Sequence, residues 1–211
     1  MKQTSIILLA VAAIMFSCQG RKHDVVYYQQ MVDSIQKAEQ TEQLKEMQRR
    51  AGIYADPAEA FFDTLSYHSL PIQSETGASV EGSMIDVPMM LNGHFGFTDH
   101  ARLRALRLPT AWRRQVVMVS ETSDTVAHAR YLFVMSDKHQ PLDYLRIGEE
   151  RREAKNGVSV RSFVEYFITS RYEITLMHYS QADGAPQPKL EQMRRYVITR
   201  DGKFEEVIIE L

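Results

Sequence analysis

Five arginines, Arg102, Arg104, Arg107, Arg113 and Arg114, fall within 13 residues that contain no acidic residue. The planar guanidinium fork suits phosphate and carboxylate groups. On an extended strand Arg102 and Arg104 share one face, and Trp112 stands beside the last pair. This makes the cluster a candidate anion-binding patch for lipid headgroups or acidic glycan. The alternative is a solvated face balanced elsewhere by Glu149, Glu150 and Glu153, since surface charges contribute little. His94, Asp99 and His100 supply two imidazoles and a carboxylate in a segment opened by Asn92-Gly93, but the His-x₅-His spacing matches no zinc motif. Gly-x-Ser-x-Gly, Ser-x-x-Lys, His-Glu-x-x-His, Gly-x-Gly-x-x-Gly and the phosphate loop are absent from the sequence. Neighbouring acids such as Glu149-Glu150 and Glu205-Glu206 point to opposite faces of a strand. The chain is therefore expected to carry no catalytic residues, metal or cofactor.

Cys18 is the sole cysteine, so neither an intrachain disulfide nor a Cys-based zinc site can form. It follows an apolar run, Ile6 to Phe16, preceded by the basic Lys2. That run is too short to span a bilayer, which takes roughly 20 residues, and it reads as an export signal over residues 1–17. The ending Met15-Phe16-Ser17-Cys18 resembles the signal of a bacterial lipoprotein, and Phe-Ser-Cys endings are familiar in lipoproteins of the Bacteroides group. The alternative is an ordinary secretory signal with an unrelated cysteine at its end. The position of the only thiol favours the lipoprotein. The resemblance implies that Cys18 becomes the first residue and takes a diacylglycerol as a thioether and a further chain on its amine. Two or more chains anchor stably. Gln19 in place of Asp, by the same resemblance, implies export from the inner membrane. The basic Arg21-Lys22, where surface-exported relatives carry acids, implies the periplasmic face of the outer membrane. The membrane is thus the first expected partner, through lipidated Cys18.

Two kinds of element must carry these groups. Asp24 to Ala51 lacks Gly and Pro and is rich in Gln, Glu, Lys and Met, which are good helix formers. Tyr28, Met31, Ile35 and Ala38, then Leu44, Met47 and Ala51, mark an interrupted helical stripe. Such a helix packs loosely on the domain or serves as a stalk, and Asp24 and Gly52 are its candidate caps. From Ala60 the pattern changes to short runs rich in Val, Ile, Tyr, Phe and Thr, separated by Asn-Gly and Asp-Gly dipeptides and by prolines. The predicted strands are Phe62–Leu70, Ser79–Val87, Ala101–Leu108, Gln115–Ser120, Ala129–Met135, Leu142–Ile147, Val158–Ile168, Tyr172–Tyr179, Met193–Thr199 and Phe204–Ile209. Val116 to Val119 and Tyr131 to Met135 are apolar at every position and fit strands buried on both faces. Between Val158 and Tyr179 the even positions are mostly apolar, so even must face even. The shortest loop consistent with that is Thr169-Ser170-Arg171, which puts Tyr166 opposite Ile174 and Val164 opposite Leu176.

The predicted organisation is a signal peptide over 1–17, a lipidated N-terminus with a polar helix or stalk over 18–53, and a β-rich domain over 54–211. The fold class is mainly β, an antiparallel meander forming a curved, barrel-like or sandwich sheet behind one N-terminal helix. With 25 Lys and Arg against 27 Asp and Glu, the net charge of −2 excludes a generally basic nucleic-acid binder. The expected function is that of a non-enzymatic envelope protein whose β domain binds a protein or glycan partner. A lipocalin-like carrier of a small apolar ligand, resembling that family only in strand count and order, and a hydrolase without a recognisable motif are the alternatives.

Overall fold

The computed structural model describes residues 25–54, 56–74, 77–122, 128–155 and 158–208. The expected signal over 1–17 and Cys18 lie outside the described residues. The chain divides into two compact units, one ending at Tyr54 and one beginning at Ala55.

In the first unit α1 spans Val25–Arg50. Gly52 closes it in the left-handed region at φ 72°, with Ile53 N donating to Gln48 O at 2.8 Å. That is the glycine cap that ends helices whose last carbonyls need partners. Its described side chains are exposed apart from the half-buried Tyr28. No described helix is long and apolar enough to cross a membrane.

The second unit is mainly β, an antiparallel meander. Its elements are α2 (Pro57–Thr64), β1 (Ile72–Gln73), α3 (Gly77–Ser83), β2 (Ile85–Asp86), a 3₁₀ helix (Met89–Phe95), β3 (Arg102–Ala111), β4 (Arg114–Thr122), β5 (Ala129–Met135), β6 (Pro141–Lys155), β7 (Val158–Ile168), β8 (Glu173–Ala182), β9 (Lys189–Ile198) and β10 (Phe204–Glu206). Strands β2 to β10 lie side by side in chain order in one open sheet, and β1 adds to the end of β7. The sheet bends along β6, whose first half pairs with β5 and whose second half, from Glu150, pairs with β7. A bulge at Ile147, between the pairs Arg130–Gly148 and Tyr131–Arg146, marks the bend. Gly148 fits there because an added Cβ would lie 3.2 Å from Arg130 Cβ.

The bend brings the two halves of the sheet face to face. Leu106, Leu108, Val116, Met118, Leu132 and Val134 from one half pack with Tyr166, Ile168, Ile174, Leu176 and Ile198 from the other. On the opposite face of β3 to β5, Leu103, Ala105, Val117, Val119, Tyr131, Phe133 and Met135 pack under Phe61, Phe62, Leu65, Leu91 and Phe95 from α2, the 3₁₀ helix and the chain beside them. All seven residues of β5 are buried. Alternate side chains feed opposite cores, which is why the run is apolar at every position.

Several strand expectations change: the last strand stops at Glu206 rather than Ile209, and the one before it begins at Lys189 rather than Met193. Phe62 to Thr64 continue α2, and only the chain beyond bridges to β3, through Tyr67 and Arg107. Asp56 caps the helix, accepting from Ala58 N at 2.8 Å, and Pro57 opens it; such a start outweighs the β propensity of two phenylalanines. Ser79 to Ser83 belong to α3, leaving a two-residue β2. Strand β6 runs on to Lys155, well past Ile147. In the β7–β8 hairpin even does face even, but Tyr166 pairs with Leu176 and Val164 with His178. The register is two residues off the expected one because the loop has five residues, Thr169 to Glu173. Tyr172 N donates to Thr169 O at 3.0 Å, and Tyr172 itself takes φ 60°.

Candidate functional site: a polar groove beside the β3–β4 hairpin

The five arginines do not act together. Arg102 and Arg104 are exposed and on one face, as their spacing requires. Arg104 donates to Met84 O at 2.7 Å and pairs with Asp86 at 3.4 Å. Arg114 is 3.9 Å from Asp137. Arg107 and Arg113 line one groove of about 510 Å³ with Asp63, Tyr67, Gln115, Asp137 and His139. Neither Arg107 nor Arg113 forms an ion pair among the described residues.

Each wall has a local cause. Capped α2 presents Asp63 on its exposed side and leads into Tyr67, which is 59% exposed. The chain there is held by Arg107 N donating to Ser66 O and His68 N donating to Arg107 O, at 2.8 and 2.9 Å. Arg107 lies on the same side of β3 as Leu103 and Ala105, and Arg113 sits in the tight β3–β4 turn. His139 lies in the β5–β6 loop, its ring stacked on Phe62 at 4.7 Å and its Nδ1–H donating to Gln115 Oε1 at 3.1 Å.

Backbone strain concentrates at this groove. Four described residues other than glycine have positive φ: Trp112 at 50°, Arg113 at 67°, His139 at 57° and Tyr172 at 60°. A two-residue hairpin with both φ positive ordinarily takes Asn-Gly, and here it holds Trp112-Arg113. Arg113 and His139 line the groove, and Tyr172 donates its hydroxyl to the carbonyl of Pro109, another wall residue. The strained turn is held down by Trp112 Nε1 donating to Ile198 O at 2.8 Å and by Arg200 over the indole at 5.2 Å. Strain of this kind persists where neighbours over-determine it and clusters at functional sites.

The remaining candidates serve structure. His94 donates to the carbonyl of His139 and packs beside Phe62 and Phe95. Asp99 and His100 are exposed. Among the described residues no group of three or more His, Cys, Asp or Glu is placed to hold a metal ion. Glu149 and Glu150 do face apart: Glu149 binds Arg146 and Arg151, and Glu150 takes both Nε and Nη2 of Arg161, at 2.8 and 2.9 Å. Burial opposes ionisation of Glu149 but is outweighed by its two arginines, while for Glu150 the Arg161 bond is the largest influence; both carboxyls are held below the usual range. A second cavity of about 260 Å³ borders Glu149, Arg151, Ser162, Val164 and His178, where the acid and the arginine already neutralise each other.

Sequence reasoning missed Arg130. It is 6% exposed and donates to Tyr166 Oη, to Glu81 Oε1 and, at 3.1 Å, to His128 Nε2. Its Nε is buried without a partner among the described residues. Burial, then the Arg130 charge, lowers the His128 pKa. The network ties α3 to β5 and β7. A charged residue opening an otherwise apolar run, Arg130 before Tyr131 to Met135, is the signal that could have found it. No family model, curated protein or solved structure matches the chain.

Proposed function

We propose that this is a non-enzymatic, lipid-anchored protein of the cell envelope, held through Cys18 in the outer membrane on its periplasmic face, whose β domain binds a protein or glycan partner. The observation that carries the reading is the groove, where Arg107 and Arg113 stand without an ion pair among the described residues and the strained β3–β4 turn holds Arg113 in the wall. Guanidinium groups left unpaired in a concavity suit an anionic group brought by a partner. The space between the sheet halves is filled by Leu106, Leu108, Met118 and Leu132, each at most 1% exposed, which supports a surface partner over an apolar ligand held inside. Ser136 Oγ in the groove accepts from Lys138 N and Gln140 N, so it is engaged as a turn-former, which favours binding over hydrolysis.

The test has two arms. Replacement Cys18→Ala should move the protein from the detergent phase to the aqueous phase in a partitioning experiment while leaving its circular dichroism unchanged; retention in detergent contradicts the anchor. Affinity capture of the native protein should yield an envelope protein or glycan that is lost with the double variant Arg107→Gln, Arg113→Gln. A partner retained by that variant moves the site away from the groove.

A further inference from the structure

We infer that the outer face of β7, β8 and β9 is the surface on which two copies of this chain meet as a symmetric dimer; this depends on neither the groove nor the anchor. The two halves of the sheet differ in cover. On the half built from β3 to β5, the face turned away from the other half lies under α2 and the 3₁₀ helix, with Phe61, Phe62, Leu91 and Phe95 closing it. The corresponding face of the other half carries Phe163, Phe167, Met177, Tyr179, Leu190 and Met193. The pairs Phe163–Tyr179, Tyr179–Leu190 and Met177–Met193 bring them side by side. Phe167, Leu190 and Met193 are 37 to 51% exposed, and neither core cluster takes in any of the six.

The charges on this face identify what covers it. Glu165 of β7 pairs across the sheet with Met177, and Arg195 of β9 with Thr175, so the acid and the base stand on either side of β8. Neither side chain forms a hydrogen bond or an ion pair among the described residues. Arg161, whose charge reaches Glu165, is already held by Glu150 on two nitrogens. Two copies set face to face about a two-fold axis that crosses β8 between Thr175 and Met177 bring Glu165 of each onto Arg195 of the other. A two-fold contact is self-complementary in this way, residue i meeting j and j meeting i. A partner surface of one sign would satisfy one of the two groups and oppose the other. Met177 lies beside the axis, and unbranched thioether chains adapt to an apolar partner. The charged pairs fix orientation more than affinity. The face from β6 to β9, four strands about 4.8 Å apart and about 26 Å long between Ser159 and Phe167, gives roughly 500 Å² of flat area on each copy. Two such faces reach the roughly 1,000 Å² at which specific interfaces begin, so the dimer is of the weak, concentration-dependent kind.

The lipidated full chain in density-matched detergent, with micelles in excess, would be followed by sedimentation equilibrium between about 1 and 100 µM. A reversible monomer–dimer equilibrium is expected. Glu165→Arg and Arg195→Glu should each weaken the dimer at least about tenfold, because each sets like charges against each other. The double variant should restore association to within about threefold of the parent, which a merely structural role of either residue would not do. Met193→Asp, at an exposed position, should weaken the dimer without lowering the melting temperature measured at the dilute end. A chain that stays monomeric throughout the range overturns the inference. So does a dimer that survives both single reversals, since the copies then meet elsewhere, or one that the double variant fails to restore while melting normally.

Discussion

Three five-residue loops share one backbone: Ser136 to Gln140, Thr169 to Glu173 and Thr199 to Lys203. In each, the fourth residue donates its N–H to the first carbonyl, and the hydroxyl of the first residue accepts from the N–H of the fifth, at 3.0 to 3.1 Å. The fourth residue always takes positive φ, and it is His139, Tyr172 or Gly202. What occupies that position follows from its neighbours. A Cβ on Gly202 would meet Leu142 Cδ1 at 2.9 Å and Val134 Cγ1 at 3.1 Å, so Gly202→Ala should cost about 1–3 kcal/mol. Tyr172 is 4% exposed and its burial pushes the phenol pKa up. Tyr172→Gly relieves backbone strain but empties a core site, and it should cost about 2–4 kcal/mol. Denaturant midpoints of both variants check this; a Tyr172→Gly protein as stable as the parent would mean the ring contributes no net packing. A hydroxyl residue opening each loop was visible in the sequence. Read as a turn-former, Thr169 would have fixed the β7–β8 loop at five residues and corrected the register by the missing two. Parity alone could not, because a shift of two keeps every side chain on its face.

At the scale of elements, β4 and β5 were legible as continuous apolar runs buried on both faces, and β7 and β8 by the two-residue alternation of their apolar side chains. Failures came where an apolar pair sat in a short helix. Phe61-Phe62 satisfies a strand pattern as well as a helix face, and only the Asp56-Pro57 start decides for the helix. This hid most of the candidate site: Arg107 and Arg113 were named from sequence, whereas Asp63, Tyr67 and His139 were not, since their positions depend on α2 and on the β5–β6 loop. Helix α1 poses a different question. Its stripe is interrupted, and its described side chains are exposed apart from Tyr28. Both core clusters of the β unit are built from Ala58 onward. A chain beginning at Tyr54 is therefore expected to melt in one cooperative transition at the same temperature as the full chain. Insolubility of that chain, or loss of its near-ultraviolet dichroism, would show that α1 completes the core.

In the whole molecule, an open sheet bent at β6 gains two cores, and polar groups are left at its margins, where burial and pairing set the acid response in two stages. Burial, then the Arg130 charge, lowers the pKa of His128; burial, then the Arg194 charge, lowers that of His178. A histidine whose folded pKa lies below its unfolded 6.5 binds fewer protons folded than unfolded in the interval between the two. Stability must then fall as pH drops below about 6.5, and the loss is complete below the folded values. The depressed Glu149 and Glu150 act at lower pH: their contribution is present above the usual carboxylate value of 4.5 and is lost as pH falls through their folded values. The His128 side chain is 40% exposed, so its share is reduced by solvent screening. It is nonetheless the ring that touches both members of the Glu81–Arg130 pair, at 3.2 and 3.1 Å. Once protonated, it loses its role as acceptor from Arg130 and places a second positive charge beside it, with Glu81 and Glu150 only partly offsetting the repulsion. Thermal midpoints measured from pH 7.5 to 3 should fall in two steps, the first below 6.5 and the second below 4.5. Replacement His128→Gln, which retains an acceptor but cannot titrate in this range, should shrink the first step and leave the second intact. A first step of unchanged size in that variant would assign it to His178 and remove His128 from the acid response.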